Sequence, residues 1–82
     1  MYPTNLSQLK KFLTVGRVIT LTNRPQHKAN GQPRKIDIAQ SNAIRFEGGS
    51  WLYYTKASDY TFTPEGFDVT EEGFDTLKYI YN

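Results

Sequence analysis

Thirteen residues, 23-NRPQHKANGQPRK-35, gather four cations, Arg24, Lys28, Arg34 and Lys35, with the only histidine of the chain and no large apolar side chain. Cations at that density suit phosphate. Each contact to a polynucleotide backbone adds affinity that ignores base sequence and falls as salt rises. Arg45 extends the set. Aromatic side chains beside such a patch can stack on unpaired bases, and 50-SWLYYT-55 supplies three. Neighbouring residues of a strand point to opposite sides, so either Trp51 and Tyr53 or Leu52 and Tyr54 face the core. A small core gains most from the area of Trp51, which leaves Tyr54 outside with Arg45 and Lys56. The K/R-G-F-G-F-V-x-F type of run found in an RNA-recognition sheet is absent. Pro25 and Pro33 frame the basic stretch, and Asn30-Gly31 offers a turn at its tip. The competing reading is a solvated hairpin loop, although a long ordered loop without secondary structure of its own is often functional.

The acidic counterpart is 65-EGFDVTEEGFD-75. A calcium loop needs acidic ligands at alternating positions and a glycine at its sixth, and Asp68, Glu71, Glu72 and Asp75 do not fall into that spacing. They read as solvated turn acids, or, with Glu65, as a docking patch for a basic partner. His27 has Gln26 and Lys28 beside it and no nearby Cys, second His or carboxylate pair, so neither a zinc site nor a general base is indicated. The chain carries no G-x-S-x-G nucleophile turn, no G-x-x-x-x-G-K-[ST] loop and no G-x-G-x-x-G fingerprint. Gly48-Gly49 reads as a hairpin turn. No catalytic, cofactor-binding or metal-binding residue is assigned, and a non-enzyme is expected.

Eighty-two residues make one small domain, 1–82. A chain this short buries only about 60–65% of its unfolded surface, and without cysteines no disulfide staples it. Aromatics, 15% of the residues, are the remaining source of core area. No apolar run approaches the roughly 18 residues of a membrane span, and 1-MYPTNLSQLKKF-12 lacks the apolar centre of a signal peptide. A cytoplasmic protein with no membrane partner is expected. The formal charge of +2 conceals a split: residues 1–46 carry eight of the ten Lys and Arg and one acid, whereas residues 47–82 carry seven of the eight acids. Such a dipolar surface suits an anionic partner on its basic side, self-association of unlike halves in a homodimer, or simple mutual pairing.

Elements that must position these groups follow from periodicity. Leu6, Leu9, Phe12 and Leu13 share a helical face, with Asn5 as its cap, Gln8 completing a capping-box-like pair and Gly16 to end it. After Gly16 the period changes to two. Strands are expected over 17–23, over 34–40 with Ile36 and Ile38 inward, over 43–47 and 50–55 as a hairpin, over 59–64, at 67–69 and over 77–82. The repeat Glu65-Gly66-Phe67-Asp68 and Glu72-Gly73-Phe74-Asp75 is too short for a solenoid unit. Each Glu-Gly is expected to turn and each Phe to plug the core. The expected fold class is α+β: one short N-terminal helix packed on a curved, mostly antiparallel five- to six-stranded sheet or small barrel.

The order strand, basic loop, strand, "SNAIRF", "SWLYYTKASDY", spanning 17-RVITLTN through 34-RKIDIAQSNAIRFEGGSWLYYTKASDYTF-62, resembles short proteins carried by phages and mobile elements of Gram-positive bacteria. The resemblance covers about half of the chain and carries no catalytic motif. It implies a compact, non-enzymatic accessory protein that occupies a host macromolecule, such as a nuclease or nucleoprotein complex, and inhibits it, CRISPR effectors included. Many such proteins are acidic nucleic-acid mimics. This chain departs from that pattern, since only its C-terminal half is acidic. Together these readings give a docking protein that meets a host protein through Arg24, Lys28, Arg34 and Lys35 and through Glu65, Asp68, Glu71 and Glu72. The alternative is direct nucleic-acid binding through the same four cations with Arg45 and Tyr54.

Overall fold

Asn5 starts the helix. In the computed structural model, which describes residues 2–82, its side-chain oxygen accepts the Gln8 N–H at 2.8 Å, a cap of about 1 kcal/mol. Gln8 answers one residue earlier than a capping box requires, taking the backbone N–H and the hydroxyl of Thr4. Helix α1 (Leu6–Phe12) is too short to persist in water alone, so buried Leu9 and the buried C-capping residue Leu13 hold it to the sheet. It ends sooner than the glycine signal suggests. Arg17 lays its guanidinium 3.8 Å from the Phe12 ring centre and donates to the Phe12 carbonyl, neutralising the helix end. Gly16, at φ +93°, instead turns the chain from helix to strand, with Arg17 N–H donating to Thr14 O.

Seven strands follow: β1 (Val18–Leu21), β2 (Arg34–Ala39), β3 (Ala43–Phe46), β4 (Trp51–Tyr53), β5 (Tyr60–Phe62), β6 (Gly66–Val69) and β7 (Leu77–Tyr81). They form one antiparallel sheet in the order β4-β3-β2-β1-β7-β6-β5, curled into a half-barrel. The sheet has seven strands, not five or six: each of the seven expected segments forms its own strand, and the two shortest, β4 and β5, of three residues each, are its edges.

The concave face holds the core: Ile19, Leu21, Ile36, Ile44, Phe46, Tyr60, Phe67, Val69 and Tyr79, with Leu9 and Leu13 of the helix. Aromatic pairs knit it. Phe67 stacks on Tyr79 at 5.1 Å and Phe12 meets Tyr81 at 4.8 Å, each worth about 0.5–1.5 kcal/mol beyond the area it buries. Ile36 is buried as expected, but Ile38 is only half-buried. The register slips between Ile36 and Ile38, which pair with Phe46 and Arg45, and such a bulge redirects the residues around it.

The tetrapeptide repeat does not behave as a repeat. Phe67 plugs the core, but Phe74 is 70% exposed. Gly66 is not a turn residue; it lies within β6 opposite Ile80. The difference is context: the first copy enters a strand, and the second forms the turn between β6 and β7.

Candidate functional site

The basic stretch is a folded loop whose last two cations belong to β2. The Gly31 N–H donates to Leu21 O at 2.8 Å, Asn30 bridges to Leu21, and Ala29 is buried. Asn30-Gly31 therefore tucks back against β1 and does not form a tip. Side chains complete the fold: Asn30 Oδ1 accepts the Arg24 N–H at 2.7 Å, and His27 Nδ1 accepts the Ala29 N–H at 3.0 Å. Polar residues without a hydrophobic pattern thus make a rigid rim by hydrogen bonding their own backbone.

This rim closes one side of a groove along the mouth of the half-barrel. Its outer part, about 710 Å³, is lined by His27, Lys28, Arg34 and Lys35 with one carboxylate, Glu47. The next part, a cleft of about 410 Å³, lies between Arg24, His27 and Arg34 above and Leu21, Phe46, Leu52, Leu77 and Tyr79 below, with Trp51 at its edge. No carboxylate lines that cleft among the described residues. A third part, about 230 Å³, runs between Tyr53 and Phe74 and carries Glu71 and Asp75. Arg34 is shared by the first and second parts and Arg24 by the second and third, so the three parts adjoin. Its charge grades from cationic at Lys28 and Lys35 to acidic at Glu71 and Asp75.

The two arginines are held in place. Arg34 lies over the Phe46 ring at 4.8 Å and donates to Glu47 O at 3.2 Å. Arg24 donates to the Asp75 carboxylate at 3.3 Å and to its backbone carbonyl at 3.2 Å. A guanidinium has five N–H donors, so both keep donors for a ligand. Lys28 and Lys35 are exposed and make no ion pair among the described residues.

Trp51 is not inside. It is 39% exposed and Tyr53 is 61% exposed, stacked at 6.0 Å and 22° on the outer face of β4. The β3–β4 register explains this. Ile44 pairs with Leu52 and Arg45 with Trp51, so an inward Ile44 forces Leu52 inward and Trp51 outward. Tyr54 goes inward too, against the helix side of the core, with Lys10 5.2 Å above its ring. Its hydroxyl has no partner there, and burial pushes its pKa up to about 12. Tyr54 is therefore not part of an outer cluster with Arg45.

Arg45 is committed elsewhere as well. It grips Asp37 with two hydrogen bonds, of 3.0 and 2.9 Å, and stands 6.0 Å from Trp51. Those hydrogen bonds hold the Asp37 carboxyl below its ordinary value of 3.8. A carboxyl whose folded pKa is depressed stabilises the fold above its unfolded pKa, and that contribution fades as pH falls through the folded value. Asp37→Asn is therefore expected to flatten the loss of thermal stability below about pH 4, read from melts between neutral and acid pH. Parallel curves for wild type and variant would contradict this role.

The groove brings together Arg24, Lys28, Arg34 and Lys35, as the sequence grouping suggests, and places Glu71 at its far end. It does not gather the acids. Asp68 pairs with Lys78 at 2.9 Å on the outer face, while Glu65 and Glu72 are exposed in separate turns. Trp51 and Tyr53, stacking candidates that the sequence reading turns toward the core, and Phe74, which it makes a core plug, are exposed and line the groove. Among the described residues, no group of three or more His, Cys, Asp and Glu converges as a metal site, and no helix is long and apolar enough to cross a membrane. Comparison with protein families, curated proteins and solved structures finds no match to the chain.

Proposed function

We propose that the chain is a small non-catalytic binding protein whose ligand is single-stranded nucleic acid, laid along the groove at the mouth of the half-barrel. One observation carries the reading. Cations from the loop and from β2 line one end of a groove that continues past the exposed, stacked pair Trp51 and Tyr53. A cationic track with an aromatic platform is the combination that holds single strands without base preference. Lys28 and Lys35 would meet phosphates, and Tyr53 and Trp51 would stack on bases.

Trp51 is the only tryptophan, so its fluorescence reports stacking directly. Titration with a 12-residue oligothymidylate is expected to quench it, and Tyr53→Ala is expected to weaken binding about tenfold, within the range of roughly 1–3 kcal/mol per stacked base. Unchanged fluorescence together with unchanged affinity in Tyr53→Ala would remove the platform from this account.

A second reading has its own support on the outer face. Trp, Tyr and Arg dominate protein interfaces, and Trp51, Tyr53 and Arg45 share one patch. Strand β4 is an edge, onto which an extended segment of another chain can add. Following the phage resemblance, the partner would be a host nucleic-acid-processing or defence enzyme that the chain inhibits. Capture of one such enzyme, lost in Trp51→Ala/Tyr53→Ala, with no oligonucleotide binding at low salt, would put this reading first.

A further inference from the structure

Within the groove, the cleft between the loop and the sheet has the form of a pocket for a single unit. Its volume of about 410 Å³ falls in the range of small-ligand sites, roughly 300–1,000 Å³. Its floor of Leu21, Phe46, Leu52 and Leu77 is apolar, and its rim carries Arg24, His27 and Arg34. An apolar floor takes a flat ring. Of the rim arginines, Arg24 is paired with Asp75, whereas Arg34 has no carboxylate partner among the described residues and leads in taking an anion.

We infer that this cleft receives one nucleoside monophosphate unit, with the base on the apolar floor and the phosphate between Arg24 and Arg34. The inference rests on the nucleic-acid reading and narrows it, since it adds an inserted nucleotide to the stacked ones. Both guanidiniums are already anchored, by Asp75 and by Phe46 with Glu47 O, which lowers the ordering cost of binding. Tyr79 stands in the same cleft. Burial pushes its hydroxyl up to about 12, so it stays neutral.

Calorimetric titration of the intact protein with thymidine monophosphate, thymidine and inorganic phosphate tests the pocket. The monophosphate is expected to bind at least about tenfold more tightly than either fragment, since it alone fills floor and rim, and Arg34→Gln, checked for an unchanged melt, is expected to remove that advantage. Competition with the 12-residue oligothymidylate would mean that a unit of the strand enters the pocket. Independent binding of the two would mean that the pocket serves a free nucleotide. If the monophosphate binds no better than phosphate while the oligonucleotide still binds, the pocket inference is overturned and the groove reading stands. If neither binds, both fall.

Discussion

Gly66→Ala is expected to unfold the protein. Gly66 sits in β6 opposite Ile80 of β7, and a Cβ there would overlap the carbonyl oxygen of Tyr79 and lie 2.7 Å from Ile80 Cα. Both obstacles are backbone, so no side chain can swing aside. Relief requires β6 and β7 to separate, which breaks the Tyr81 N–H to Glu65 O bond and pulls Phe67 off Tyr79, the stack at the centre of the core. The cost belongs with the largest single-substitution effects, about 4 kcal/mol or more. Domain stabilities run at about 5–15 kcal/mol, and a chain of this size sits at the low end. Gly73→Ala is the useful control. Its φ of +86° makes alanine strained, but nothing stands within 4 Å of the new methyl, so it is expected to cost about 1 kcal/mol. Thermal melts by circular dichroism separate the two. A cooperative melt of Gly66→Ala within a few degrees of wild type would contradict the tight β6–β7 approach.

Lys28→Glu with Lys35→Glu is expected to lower affinity for single-stranded DNA about 100-fold at low salt and to reduce the salt slope by about 0.7 per residue. These two lysines line the outer groove and have no ion-pair partner among the described residues, so reversal costs the fold little. Arg45→Glu on the outer face is the contrast. It breaks the Asp37 pair and should lower stability while costing clearly less oligonucleotide affinity than the double reversal, since the group lines no part of the groove although it stands 6.0 Å from Trp51. Equal losses of affinity in the two variants would mean that binding follows net charge and not the groove.

Local physics is what the sequence displays. The helix was legible because Asn5 and the Leu6, Leu9, Phe12, Leu13 spacing act within a few residues of one another. The strands were legible through their period of two, and the curled sheet through the brevity of those strands. Area alone puts Trp51 inside, which is the wrong side of β4. The register of the β3–β4 hairpin decides it, and that register depends on the Glu47–Ser50 turn, where the Phe46 N–H donates to Ser50 O at 2.8 Å. Phe74 shares its motif with Phe67 but not its neighbours, so the motif alone points it to the core. The cation cluster was legible as composition, but the groove was not. It exists because Asn30 and His27 bend the loop back onto β1, and because Arg24 reaches 51 positions along the chain to Asp75.

The salt dependence of single-strand binding by the wild-type protein bears on the groove most directly. Trp51 fluorescence titrated with the 12-residue oligothymidylate, at salt from about 50 to 200 mM, gives both affinity and slope. Three or four phosphate contacts by Lys28, Lys35, Arg34 and Arg24 predict a slope of about −2 to −3 on logarithmic axes, near −0.7 per phosphate for single strands. A matched duplex is expected to bind more weakly, because its bases are not free to stack on Tyr53 and Trp51. A slope near zero, or no binding at the lowest salt, would contradict the nucleic-acid assignment and leave the Trp51–Tyr53–Arg45 face as the place to look for a protein partner.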